Sequence, residues 1–199
     1  MPISPDNIIL FVLSHEGGLV NDNDDPGGIT NFGISLRFLQ SIGLDLNHDN
    51  ATNYFDIKNI TQQDAINIYK KEFWDKFPYG SIENEALVAK VFDAAINIGP
   101  KNAIILLQKT INAYFPENKL ATDGILGQQT IAMTNRYLKE NHYSGCSFIN
   151  IFECKLIDYY ITLAEKNKSL AKFVRGWTRR AKDSYYGNKT GVTGANKTF

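Results

Sequence analysis

Two carboxylic acids and a hydroxyl stand close together near the start of this chain, at Glu16, Asp25 and Thr30. Eight residues separate the two acids, four separate Asp25 from Thr30, and Gly17-Gly18 follows Glu16 directly. Acid-catalysed cleavage of a glycosidic bond uses one carboxylic acid to protonate the leaving oxygen and a carboxylate to activate water or stabilise the transition state. The segment therefore carries the residue types of a glycosidase site.

The surroundings of the two acids predict different roles for them. Glu16 is expected in the last turn of a first helix that Gly17-Gly18 ends. The negative end of the helix dipole disfavours a second negative charge there, so Glu16 is expected to keep its proton as general acid. Asp25 lies among turn residues and is expected to stay ionised as base or electrostatic partner, while Thr30 positions the water.

Each of these residues also has a plain structural interpretation. A surface glutamate before a glycine stop is common, and so is a turn-forming aspartate before proline. On composition alone, Asp22 and Asp24 compete with Asp25 for the second role.

The acidic loop does not fit a metal site. A calcium-binding loop needs glycine at its sixth position and an acidic residue at its twelfth. The register that starts at Asn21 places Pro26 sixth and Phe32 twelfth, and the register that starts at Asp22 places Pro26 at a ligand position and Gly33 twelfth, so both fail. The three histidines lack zinc-ligand spacing. We expect no metal and no cofactor.

Helical periodicity and capping signals predict a mainly α protein with about seven helices and a small β-hairpin region near the N-terminus. Residues 43–59 are expected to form a polar loop. The best boundary is Gly99-Pro100, which divides the chain into 1–98, 99–185 packed on the same core, and a loose tail over 186–199.

Composition limits the partners and the location. The 199 residues are 43% hydrophobic with zero formal net charge, which gives no global case for nucleic acid, although a local basic patch stays compatible with that total. The apolar run from Ile8 to Leu13 is too short for a signal peptide or a membrane span. We expect a monomer that is synthesised in the cytoplasm without a signal peptide.

The first segment resembles a known family. Glu-Gly-Gly followed by Asp-Pro-Gly-Gly-x-Thr-Asn-x-Gly-Ile resembles the N-terminal signature of the glycoside hydrolase family 108 muramidases, which have a lysozyme-like fold. Phage lysozymes have a similar arrangement with the threonine usually one residue later. Phe92-Asp93-x-x-x-Asn97-x-Gly99 resembles a later helix of the family, which implies that Asp93 and Asn97 support the cleft. Phe32 is the cleft aromatic expected to stack on a sugar, whereas Tyr69 and Trp74 fit the core better.

The second half resembles the predicted peptidoglycan-binding region that accompanies these muramidases. The matching pieces are Leu107-Gln108, Asp123-Gly124-x-Leu126-Gly127-x-x-Thr130 and Gly176-Trp177-x-x-Arg180. A turn between two helices explains the Asp-Gly piece equally well.

The resemblance implies a lysozyme that cleaves the β-1,4 bond between N-acetylmuramic acid and N-acetylglucosamine in peptidoglycan. It would act on the cell wall after release or export, with a phage or prophage endolysin as the favoured setting. A lytic transglycosylase, which needs Glu16 but no water-activating Asp25, is one alternative. A non-catalytic wall-binding or secretion accessory protein is another.

Overall fold

The computed structural model describes residues 3–19, 29–141 and 146–185. These residues are mainly helical with one small antiparallel hairpin, which confirms the predicted fold class. In chain order the elements are α1 (Pro5–Leu13), β1 (Thr30–Asn31), β2 (Ile34–Ser35), α2 (Leu36–Ile42), α3 (Tyr54–Asn59), α4 (Gln62–Tyr69), α5 (Glu85–Ile98), α6 (Pro100–Tyr114), α7 (Gln128–Glu140), α8 (Cys146–Lys166) and α9 (Val174–Lys182). A π-helical turn covers Lys70–Trp74, and short 3-10 helices cover Tyr79–Ser81 and Lys168–Phe173.

The chain divides into two compact units that differ from the regions expected from the sequence. The small unit comprises Ile9–Lys76, and the large unit comprises the described residues of Met1–Ile8 and Phe77–Phe199. Helix α5, on the first side of the expected boundary at Gly99, belongs to the large unit and packs on α6. The assignment of catalysis to residues 1–98 and of wall binding to residues 99–185 stays a prediction.

A two-residue turn forms the hairpin of the small unit. Thr30 pairs with Ser35 and Asn31 with Ile34, and Phe32 and Gly33 connect the strands with φ angles of 51° and 72°. Two positive φ angles in succession define the turn type whose twist matches that of paired strands. The hairpin therefore ends in a tight turn that holds one non-glycine residue, Phe32, in the left-handed region.

Buried Asp56 organises the segment that was expected to be a polar loop. Its carboxylate accepts backbone N–H bonds from Leu46 (2.8 Å), Asn47 (3.2 Å) and Asn53 (2.7 Å). Asn53 and Asp56 also form the capping box that starts α3, a six-residue helix that the sequence analysis missed. Burial opposes ionisation, but these backbone hydrogen bonds outweigh it and hold the pKa of Asp56 below its ordinary value.

Helix α5 is the central helix of the large unit. Its residues from Ala86 to Ala95 are all buried, including the charged side chains of Lys90 and Asp93. Lys90 Nζ donates to the carbonyl oxygens of Ala181 and Asp183, the latter at 2.8 Å, and lies 3.5 Å from Glu153. Burial lowers the pKa of Lys90, while the charge of Glu153 opposes that shift. A buried lysine thus satisfies carbonyl groups at the C-terminal end of α9.

We expect Asp56→Asn to lower the free energy of unfolding by about 2 kcal/mol or more near pH 7, because three backbone donors lose a charged acceptor inside the protein. The folded-state pKa of Asp56 is depressed, so its stabilisation is present above the ordinary carboxyl pKa and is lost as the pH falls through the folded value. Urea denaturation at pH 7 and pH 2.5 should show a difference between wild type and variant that shrinks at the lower pH.

Asp64→Asn is the matched control, because Asp64 occupies the same capping-box position in α4 but, among the residues that the structure describes, its carboxylate accepts hydrogen bonds from Thr61 alone. An equal loss of stability in the two variants would contradict the organising role of Asp56.

Candidate functional site

Glu16 lies three residues beyond the end of α1, and not inside its last turn as expected. The helix ends at Leu13, and the backbone N–H groups of His15 and Glu16 then bond to the carbonyls of Val12 (2.9 Å) and Leu13 (3.2 Å). These three-residue bonds tighten the chain and end the helix before the glycine pair. Gly18 has no left-handed φ angle, so that conformation of Gly18 is not what stops the helix.

The carboxyl group of half-buried Glu16 lies against the hairpin turn. An ideal Cβ atom placed on Gly33 would be 2.6 Å from Glu16 Oε2 and 2.8 Å from the hydroxyl oxygen of Tyr69. Real Cβ atoms essentially never make contacts this short. The missing side chain of Gly33 therefore provides the space in which the Glu16 carboxyl and the Tyr69 hydroxyl come together.

Tyr69 connects this turn to α4. Its hydroxyl donates to the backbone carbonyl of Phe32 at 3.1 Å, and the side chain is only 2% exposed. The π-helical turn begins at the next residue, and Asp75 N bonds to Lys70 O at 2.9 Å. Such turns occur often at functional sites. Tyr69 is a core residue, as the sequence favoured, and its hydroxyl also fixes the turn beside Glu16.

The other predicted residues of the hairpin have separate positions. Thr30 is half-buried on β1 opposite Ser35, and Phe32 is half-buried at the first position of the turn. Asn31 is buried and donates from Nδ2 to the carbonyl of Ile57 at 3.0 Å, which ties the hairpin to α3. The structure thus brings Glu16 to the same turn as Phe32, on the strand pair that carries Thr30.

The candidates for the second carboxylate, Asp22, Asp24 and Asp25, lie outside the described residues. The role of Asp25 stays a prediction.

Asp93 forms a buried ion pair in the large unit. Arg180 of α9 donates from Nε to both oxygens of Asp93, at 3.1 and 3.2 Å, and from Nη2 to Oδ1 at 2.9 Å. Asp93 is 2% exposed, and planar, multiply bonded arginine–carboxylate pairs are among the strongest charged contacts in proteins. This contact fastens α9 to α5.

Asn97, one helical turn after Asp93, joins the same arrangement. Its Oδ1 accepts a hydrogen bond from Tyr160 of α8 at 2.7 Å, and the ring of Tyr160 stacks on Trp177 of α9 at 5.2 Å. Burial raises the pKa of the Tyr160 hydroxyl above its ordinary value, and the charge of Asp93 adds to that effect. The motif of α5 therefore contacts the Gly-Trp-x-x-Arg motif of α9, directly through Arg180 and indirectly through Tyr160. A contribution of Asp93 and Asn97 to the cleft stays a prediction.

The Asp-Gly motif forms a hydrogen-bonded turn around Gln108. Gln108 Nε2 donates to Asp123 Oδ1 at 2.8 Å and to Thr130 Oγ1 at 3.3 Å, and its Oε1 accepts from the backbone N–H of Gly124 at 3.0 Å. Gly124 has a φ of 76°, and a Cβ there would lie 2.9 Å from the carbonyl oxygen of Lys101. The motif residues thus build the turn between α6 and α7, which agrees with the interpretation of the Asp-Gly segment as a turn between two helices.

Residues 3–19, 29–141 and 146–185 contain no group of three or more His, Cys, Asp or Glu side chains placed to hold a metal ion. Over the same residues, no helix combines the length and the apolar character that crossing a bilayer requires.

Sequence reasoning did not find Gly33 and Tyr69 as the neighbours of Glu16. Gly33 was available as a signal, because a glycine at the second position of a two-residue hairpin turn is typical of this turn type. Tyr69 gave no such signal, because the pattern of a tyrosine at the end of an amphipathic helix predicts only a core residue.

Two family models match successive parts of the chain. Residues 9–99 match the model described as Glycosyl hydrolase 108, and residues 102–182 match the model described as Predicted Peptidoglycan domain. No curated protein matches the sequence.

The fold is similar to that of a solved structure, SagA from Brucella abortus. The TM-score is 0.67 at 23% sequence identity, over 96% of this chain and 97% of that chain. This likeness concerns the fold alone, whereas the two family models concern the sequence. By those two matches, residues 9–99 belong to glycosyl hydrolase family 108 and are followed by a predicted peptidoglycan domain, so the chain is a peptidoglycan hydrolase.

Proposed function

We propose that the chain is an N-acetylmuramidase that hydrolyses the β-1,4 bond between N-acetylmuramic acid and N-acetylglucosamine, with Glu16 as general acid. The observation that carries the proposal is the position of the Glu16 carboxyl against Gly33, inside the region that matches glycosyl hydrolase family 108. Because Gly33 has no side chain, a bulky polymer can approach the acid closely at this position of the turn.

In this mechanism Glu16 gives its proton to the glycosidic oxygen as the bond from that oxygen to the anomeric carbon breaks. Water adds to the anomeric carbon from solvent, and its proton passes to a base. Asp25 is the proposed base or charge stabiliser, and Thr30 is proposed to hold the water through its hydroxyl. The half-buried ring of Phe32, at the tip of the same hairpin, is proposed to stack on a sugar.

Glu16→Gln keeps the size of the side chain but removes the transferable proton. We expect release of soluble fragments from purified peptidoglycan to fall by a factor of about 100 or more, with unchanged thermal stability. Glu117→Gln, an exposed substitution in the large unit, is the control and should keep full activity. Retained hydrolysis in Glu16→Gln would remove the role assigned to this residue.

Gly33→Ala tests the space beside the acid. The new Cβ would collide with Glu16 Oε2 and the Tyr69 hydroxyl, so the carboxyl must move. Because displacements of about 1 Å can cost 100-fold in rate, we expect kcat to fall at least tenfold.

Gly43→Ala is the matched control for that variant. Gly43 lies in the same unit with a similar positive φ of 62°, but an added Cβ meets nothing within 4 Å. Both variants carry comparable backbone strain, of about 1 kcal/mol. A loss of activity in Gly43→Ala as large as that in Gly33→Ala would show that strain, and not crowding of Glu16, is responsible.

The products distinguish hydrolysis from the transglycosylase reaction. A hydrolase adds water and leaves a reducing N-acetylmuramic acid end, whereas a transglycosylase leaves an anhydro-sugar end. Mass spectrometry of digested peptidoglycan should show reducing ends, and Asp25→Asn should reduce their rate of formation by about 100-fold. If the products carry anhydro ends, and Asp25→Asn still forms them, the chain is a lytic transglycosylase and not a hydrolase.

A further inference from the structure

A strongly basic segment lies near the end of a chain that is neutral overall. Residues 166–182 contain no Asp or Glu but seven basic residues: Lys166, Lys168, Lys172, Arg175, Arg179, Arg180 and Lys182. The rest of the chain therefore carries seven fewer basic than acidic residues. We call residues 166–182 the basic segment.

One of the seven basic side chains forms a buried ion pair, and the other six are exposed to solvent. Arg180 is bound to Asp93, whereas Lys166, Lys168, Lys172, Arg175, Arg179 and Lys182 are all exposed. None of these six forms an ion pair with another residue in the described parts of the chain. Within α9 the exposed cations fall at Arg175, Arg179 and Lys182, a spacing of four and three that places them on one face.

Aromatic rings border these cations. Phe173 is 45% exposed, packs against half-buried Trp177 with ring centres 5.7 Å apart, and has Lys172 Nζ 5.0 Å from its ring centre. Cations that surround an aromatic ring can bind a ligand that has both an apolar sugar face and negative charges. Ala181, on the other side of α9, is buried and α9 packs on α8, so the helix has no free apolar face to insert into a bilayer.

We propose that the exposed face of the basic segment binds peptidoglycan through the carboxylates of its stem peptides, with Phe173 against a sugar ring. This inference rests on the proposed function, because it takes peptidoglycan as the substrate. Short peptides with separate carboxylates suit a local cationic face on a chain whose remaining residues are net negative. A long uniform polyanion such as nucleic acid would meet repulsion beyond the segment.

The binding test uses the full chain carrying Glu16→Gln, so that the wall is not digested during the measurement. Arg175→Glu, Arg179→Glu and Lys182→Glu are added together, and binding to purified peptidoglycan stripped of phosphate polymers is measured by co-sedimentation. Exposed charge pairs contribute modestly one by one, so we expect the three reversals to weaken binding about tenfold or more. Binding of the parent should also weaken at 1 M salt.

The matched control reverses three exposed lysines of the large unit that lie outside the basic segment, Lys101, Lys109 and Lys119, and should bind within about twofold of the parent. The triple variant Arg175→Gln, Arg179→Gln and Lys182→Gln removes the charges without reversing them, and it should also bind less tightly than the parent. The circular dichroism spectrum of each variant must match that of the parent, which excludes a folding defect. Equal weakening in control and test variants, or none in either, would overturn the proposal.

Chemical treatment of the wall identifies the ligand group. Amidation of the peptidoglycan carboxylates should reduce binding of the parent to the level of the reversal variant. Unchanged binding after amidation would overturn the carboxylate assignment, as would binding that appears only on walls that keep their phosphate polymers. Stronger binding to DNA or to anionic phosphatidylglycerol vesicles than to peptidoglycan would also overturn it.

Hydrolysis by the chain with Glu16 intact is measured separately. Fragments released from the wall without any binding defect in the reversal variant would reject this inference alone. A binding defect without any hydrolysis would reject the proposed function alone.

Discussion

The absence of a side chain at position 33 is the constraint on which the candidate site depends. The tight turn brings the backbone of Gly33 against the carboxyl of Glu16 and the hydroxyl of Tyr69, at distances that leave no room for a methyl group. Tyr69 then bonds to the carbonyl of Phe32 and holds the turn in place. Three separate elements, the end of α1, the hairpin and the end of α4, meet at this point because one residue is small.

The large unit is built on a different principle, because its signature residues bind one another. Asp93 and Asn97 of α5 hold Arg180 of α9 and Tyr160 of α8, and Gln108 of α6 holds the turn before α7. These contacts join residues of the protein to one another. A residue pattern that marks a family can therefore reflect the fastening of helices as well as contact with a ligand.

Much of the fold could be predicted from the sequence, because helical periodicity and capping residues are local signals. Ser35 caps α2 and Thr61 caps α4, and such capping residues are visible in the sequence, whereas α3 was missed although Asn53 and Asp56 form a capping box. The arrangement of the candidate site was harder to predict from the sequence. Glu16 was found by its spacing to Asp25, but its position beside Gly33 and Tyr69 brings together residues 17 and 53 positions away, which no local pattern indicates.

The buried lysine of α5 has a consequence for how the last helix can change. Lys90 holds the end of α9 through the carbonyl oxygens of residues 181 and 183, which every amino acid supplies, and Arg180 and Trp177 are held through their side chains. The solvent-facing side chains of α9 are therefore not needed to hold the helix in place. Substitution there can alter what the surface recognises while the helix keeps its place, so this face is free to diverge among related chains.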